Sequence, residues 1–340
     1  MVSTKGLHFE PRLQYFLPAA TTQLVNNGIC FLFDELRYEL NGVEIDRSRY
    51  VGLTSLMKGY ASLTSSKAYS LENAGWYDAH ETGRQTDANG YFDVNTPLKM
   101  LLGFFEDYNK IVVNARHELI LRRTNTDNNA IIQTEAEEFK ISLIKVEWLL
   151  PHVRVADHIK IPLLNLIKAD KTLTLPFRTW TLYEYPMLPT TTRHVWAVKT
   201  SSALEKPRFV ILGFQTNRQN KKDQNASHFD HAKLRDVKLY LNSQCYPYAN
   251  LNLDITNNQF ALLYDMYSHF QSEYYSKEEE PLLSRSEILN YAPLAIINCS
   301  RQNELLKTET VDVRLEFEWY ENIPAGTIAY CLVLHDTIVS

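Results

Sequence analysis

Glycine is scarce, cysteine is scattered and long apolar runs are missing, and each shortage removes a class of protein. Only 11 of 340 residues are glycine, and none lies in a glycine-rich loop ahead of a helix, the arrangement that cradles phosphate. The four cysteines, Cys30, Cys245, Cys299 and Cys331, are far apart and form no Cys-x-x-Cys pair. Thiols inside apolar or strand-like runs behave as small hydrophobes, so a reducing compartment without structural disulfides is expected. No apolar segment approaches the roughly 20 residues that cross a bilayer. The N-terminus lacks a positively charged start followed by an apolar run. A soluble chain, made in the cytoplasm or nucleus and not secreted, is therefore expected. Basic residues form no stripe or arm: the formal charge is −5, and the pairs Arg122-Arg123 and Lys221-Lys222 stand alone. A dedicated nucleic-acid-binding arm, which works by neutralising phosphates, is not expected.

Catalytic signatures are missing too. There is no Gly-x-Ser-x-Gly elbow and no cysteine in a nucleophile's setting. The acidic pairs Asp34-Glu35 and Glu137-Glu138 read as solvated edges, and the run Glu278–Glu280 as exposed loop. The one stretch that invites a metal is "HFDHAKLRDVKLYLN", where His228, Asp230 and His231 fall close together. A cupin-like metalloenzyme would need further ligands on one face. His80 near Asp78 and Glu81, and His158 beside Asp157, do not complete a recognised set. No catalytic, cofactor-binding or metal-ligating residue is assigned, and no cofactor is expected.

Strand patterns fill the chain. In "VDVRLEFEW", Val311, Val313, Leu315, Phe317 and Trp319 take one face and the charged residues the other, a sheet with one wet side. "FKISLIKVEW" alternates through Phe139, Ile141 and Leu143 and then shifts phase to Ile144, Val146 and Trp148, as a bulge requires. "RFVILGFQT" and "TIAYCLVLH" are apolar on both faces and belong inside packed sheets. Helical spacing predicts short helices over Leu53–Tyr60 and Phe260–Tyr274. The polar stretch from Thr64 to Asn95 reads as a long loop.

The halves of the chain echo each other. "RYELNG" from Arg37 and "KLYLNS" from Lys238 are strands ending in Leu-Asn, each followed by a helix. "TPLKMLL" and "APLAIIN" come later, each leading to a charged alternating strand, at an offset of about 200 residues. Tandem duplication and chance recurrence of strand–turn–helix units both account for this. The expected fold is all-β with short helical insertions: two tandem sandwiches or jelly rolls, residues 1–160 and 161–340, joined through the segment from Pro151 to Thr174.

The blocks "LVNNGICFLFDELRYELNGVEIDR", "PLKMLLGFFEDYNKIVVNARHELILRR", "FRTWTLYEYPMLPTTTRHVWAVKTSSALEKPRFVILGFQTNR" and "ASHFDHAKLRDVKLYLNSQCYPYANLNL" resemble the double jelly-roll domain proteins. That family is abundant in arthropod genomes and related to major capsid proteins of Polinton-like and adintovirus-like elements. The resemblance runs from about Leu24 to the C-terminus. It implies a non-enzymatic capsid subunit whose homotrimers place six barrels around a threefold axis and tile a virion shell. The implied partners are other copies of the chain, neighbouring capsomers, and a penton or minor capsid protein. "HFDHAKLRDVKLYLN" then resembles the loop and strand entering the second barrel, its histidines making structural hydrogen bonds. Ahead of the matching blocks, "MVSTKGLHFEPRLQYFLPAATTQ" departs from the family pattern. Three outcomes follow: the first barrel lacks strands, this segment pairs differently, or it swaps between subunits. A truncated, genome-resident derivative serving as a scaffold or binding protein is the alternative function.

Overall fold

The computed structural model describes residues 5–15, 22–77, 86–87, 89–112, 115–133, 138–169, 174–201, 206–301 and 311–339. Asp78, His80, Glu81 and Glu137 lie outside them. The chain begins with β1 (Gly6–Tyr15), β2 (Thr22–Leu24), β3 (Phe33–Leu40), β4 (Val43–Arg49), α1 (Val51–Ser62) and α2 (Ser65–Ser70). It continues with β5 (Val94–Pro97), α3 (Gly103–Asp107), β6 (His117–Arg123), β7 (Ile131–Gln133), β8 (Phe139–Leu149) and α4 (Asp157–Lys168). The second half holds β9 (Leu175–Tyr185), β10 (Arg193–Ser201), β11 (Lys206–Thr216), β12 (Leu234–Leu241) and β13 (Gln244–Tyr246). It closes with α5 (Ala261–Ser268), α6 (Phe270–Tyr275), α7 (Arg285–Tyr291), β14 (Ala295–Asn298), β15 (Val311–Trp319) and β16 (Thr327–Val339).

In the second half two four-stranded sheets, ordered β14-β11-β16-β9 and β10-β15-β12-β13, face each other, every pairing antiparallel. This is a complete eight-stranded jelly roll. Phe214 of β11 meets Phe317 and Trp319 of β15 at 5.5 and 5.9 Å across the core. The alternation of β15 is as its sequence predicts, with Val311, Val313, Leu315, Phe317 and Trp319 buried. β11 and β16 occupy the middle of their sheet and are apolar on both faces for a visible reason. Phe209, opposite in phase to Phe214, packs outward against Phe270 and Tyr274 of α6 at 5.2 and 5.5 Å.

The first half repeats this plan with fewer strands. Its sheets run β5-β1-β8 and β4-β3-β6, with a separate β2-β7 ribbon. These orders match β14-β11-β16 and β13-β12-β15 strand for strand. The match extends to individual hydrogen bonds. Asn41 ends β3 with φ 51° and Asn242 ends β12 with φ 53°, the left-handed turn that asparagine tolerates best. Asn41 N donates to the Arg116 carbonyl while Arg116 N donates to Asn41 Oδ1. Asn242 and Asp312 make the same reciprocal pair. Among the described residues nothing in the first half stands where β9 and β10 stand in the second. The N-terminal segment pairs within its own chain: β1 lies between β5 and β8, in the place β11 holds in its own sheet.

Some local expectations are corrected. The Phe260–Tyr274 helix is two helices, broken at His269. The stretch after Thr64 is not plain loop: α2 is capped by Thr64, whose hydroxyl accepts from Lys67 N, and Trp76 is fully buried against Tyr60. The joint region carries α4, and α7 has a Ser284–Glu287 capping box.

Helices α1, α3, α5 and α6 fill the space between the two barrels. Tyr60 of α1 donates to the Ser227 carbonyl and receives a bond at its own carbonyl from the Tyr267 hydroxyl. Asp46 of β4 is buried there with no cation. It accepts from Phe104 N at 2.8 Å, from Arg47 N at 2.9 Å and from the Thr179 hydroxyl of β9 at 2.6 Å. Burial outweighs these bonds and pushes its carboxyl from 3.8 up to about 6. The native state therefore binds more protons than the unfolded chain between these values, and Asp46 stabilises the fold more as pH falls through that window. Asp46→Ala is destabilised at every pH, because it orphans buried donors. Its gap from wild type is expected to widen by up to about 3 kcal/mol between neutral pH and about pH 4. Urea melts across that range measure it; a gap that stays constant would show that Asp46 is solvated.

Candidate assembly surface

Among the described residues two sheet edges of the first half are uncovered. In the second half β9 covers β16 and β10 covers β15; in the first, β8 and β6 end their sheets. The bulge expected in β8 is present: Lys145 pairs with Glu10 and Leu143 with Pro11, so Ile144 is skipped. Ile144 and Val146 are 58% and 43% exposed. Val146 sits opposite Phe9, on the same face, and Phe9 is buried. What differs is the neighbourhood, since among the described residues β8 is the last strand of its sheet. Charged side chains guard this edge only in part, through Lys145 bridging Glu10 and Glu147 at 3.3 and 2.9 Å.

The chain leaves β8 into a segment that touches little of the molecule. Every side chain described between Pro151 and Ala169 is exposed, including Val153, Val155, Ile159, Ile161 and Leu164. An isolated helix of this length is marginal in water, and Pro162 inside α4 weakens it further. Helices of this kind are stabilised by burying a face. Ile161, 63% exposed, and Leu164 are one turn apart, a spacing obscured in the sequence by Pro162, which there reads as punctuation. The sequence motifs gave no sign of this exposed apolar strip.

The histidine cluster does other work. Asp230 accepts both arms of Arg218, at 3.0 Å from Nε and 2.6 Å from Nη2, and Thr216 N at 2.7 Å. His228 lies edge-on to Tyr291 at 5.1 Å and within 3.3 Å of the Asn225 amide. Burial first, and then the Arg218 charge, lower His228 to about 4, so it is neutral near pH 7. His231 Nδ1 accepts from Lys233 N at 3.0 Å, turning the chain into β12. The three side chains are tied to separate partners. Among the described residues no group of three or more His, Cys, Asp or Glu is placed to hold a metal. His158 is an exposed residue of α4.

A family model described as a double jelly roll-like domain matches residues 22–339. The chain belongs to that family. No curated protein matches it. Among solved structures, the Faustovirus major capsid protein is similar with a TM-score of 0.59 at 8% identity, over 99% of this chain and 85% of the other. The Sputnik virophage structure gives 0.55 at 8%, over 98% and 79%. The mavirus major capsid protein gives 0.52 at 11%, over 98% and 80%. At these identities the likeness is one of fold: this double jelly-roll chain has the architecture of viral major capsid proteins. Its family match begins after β1. No helix among its described residues is long and apolar enough to cross a membrane.

Proposed function

We propose that the chain is a non-catalytic capsid-type subunit. Three copies associate into a capsomer with six barrels around a threefold axis, and capsomers tile a virion shell, with a penton or minor capsid protein as a further partner. The barrels divide at residues 160 and 161, within α4, so the joint itself supplies contact surface. The observation that carries this reading is the exposed strip of α4 and the β8 edge. A marginal helix and an uncovered sheet corner lie side by side in sequence, and a second copy of the chain would bury both. Its support from relatives is the capsid-protein fold, in which the Faustovirus and mavirus proteins are named major capsid proteins.

Mass in solution tests it. The wild-type chain is expected to sediment as a trimer at tens of micromolar, and Ile161→Asp with Leu164→Asp to sediment as a monomer with unchanged circular dichroism. A monomeric wild type, with no threefold particles in electron micrographs, would sink the proposal. The likeness to capsid proteins, at 8–11% identity one of fold alone, also fits a second reading, a genome-resident scaffold or binding protein that kept the fold without shell formation. Trimers without shells in expressing cells would select it.

A further inference from the structure

We infer that the cleft between α2 and the segment after α6 is a binding site for a small polyanion carrying two or more phosphate groups. The cleft encloses about 860 Å³, within the range of small-molecule sites. Its floor is saturated. Lys58 is paired with Glu106 and Arg178 with Asp107, so these four charges cancel inside the protein. Its rim is not. Lys67 of α2, Lys99 ahead of α3 and Lys277 after α6 all line the cleft, and no ion pair within 4 Å occupies any of them among the described residues.

Three segments distant in sequence thus bring ammonium groups together. Lys67 and Lys277 line the same cleft, close enough for the charge of one to act on the other, and both are donors only. Folding a chain so that two ammonium groups face each other is unfavourable without an anion between them. Partial burial, followed by Lys277 and Lys99, holds the Lys67 ammonium below its ordinary value, and Glu280 opposes this without reversing it. An anion with several charges would meet all three lysines at once, and its charge-assisted bonds are the strong kind. A single phosphate is too small to span such a cleft. Glu278 and Glu280 also line it, which disfavours extended polyanions along that wall and sets the sign of one test.

This site does not depend on the assembly reading, because α4 and β8 are not part of it. Calorimetric titration of the intact chain with sodium tripolyphosphate, and separately with a nucleoside triphosphate, tests the inference. Both are expected to bind, more weakly as salt is added. Lys67→Gln with Lys277→Gln is expected to weaken binding by about tenfold or more, while Lys221→Gln, on a distant loop, leaves it unchanged. Glu278→Gln is expected to tighten it. Equal affinity for the two probes places recognition in the phosphates, and tighter nucleotide binding adds a contact to the base; either supports the site. Absence of binding at millimolar probe, or binding indifferent to all three charge changes, overturns it. Unchanged melting curves for the glutamine variants show that they remain folded.

Discussion

Gly103→Ala is expected to abolish the folded state. A Cβ built on Gly103 would lie 1.9 Å from the Arg178 carbonyl oxygen and 2.9 Å from both the Arg178 carbonyl carbon and Thr179 Cα. All three atoms are backbone of β9, so no side chain can swing aside. Relief requires lifting α3 away from β9. That movement breaks the bond from Phe104 N to Asp46, and it separates Asp107 from Arg178, which holds it through backbone N, Nε and Nη2 at 2.8, 2.8 and 2.5 Å. It also opens the edge-on contact of Phe104 with Phe177 at 5.3 Å. Small-to-large changes that the backbone cannot absorb reach the exceptional class of more than about 4 kcal/mol. Domains are stable by only about 5–15 kcal/mol. Gly42→Ala is the contrast: Gly42 has φ +78° but nothing within 4 Å of a Cβ, so only backbone strain of about 1 kcal/mol is expected. Soluble yield and thermal melting measure both. A Gly103→Ala protein melting within a few degrees of wild type would show that β9 and α3 are not docked as described.

The second large effect is expected at Lys58. This lysine of α1 is 3% exposed. Its Nζ donates to both Glu106 carboxylate oxygens at 3.0 and 3.2 Å and to the Tyr275 hydroxyl at 2.5 Å. It also lies 4.6 Å from the ring centre of Trp180, in β9. Tyr275 in turn donates to Glu106 at 2.5 Å. One ammonium thus joins α1, α3, α6 and β9, across the boundary between the barrels. Lys58→Ala leaves a largely buried carboxylate without its cation, and the cost is about 3–5 kcal/mol. Lys58→Met with Glu106→Gln removes both charges and is expected to recover most of that loss, because the desolvation of the pair disappears with it. Denaturant melts of the single and double variants measure this. Equal stability of Lys58→Ala and wild type would mean that the ion pair is solvated.

How much of this was legible beforehand depended on whether a residue's environment is local. The period of two in β15 was readable because each side chain's face is decided by its own strand. The phase change at Ile144 was readable for the same reason, since a bulge is a local event. The Leu-Asn turns closing β3 and β12 could be matched because asparagine in a left-handed turn is a requirement of the turn itself. The exposure of Ile144 and Val146 was not legible, because it depends on which strands β8 has beside it in the sheet. The α4 helix was hidden by Pro162 and by helical spacing too short to register. Lys58 carried no signal in the sequence, because its partners are 48 and 217 residues away. The histidines looked like ligands through proximity in sequence, and the fold sends each to a different partner.

Taken alone, the order of residues determined the strands and the turns between them, because backbone periodicity and turn chemistry act over a few residues at a time, while the two-barrel plan and the family rested on the resemblance of whole blocks. Tertiary structure alone decided which sheets are complete, which apolar residues stay uncovered, and which charges meet between the barrels. Those outcomes depend on sheet edges and on side chains brought together from far apart, and no local pattern encodes them.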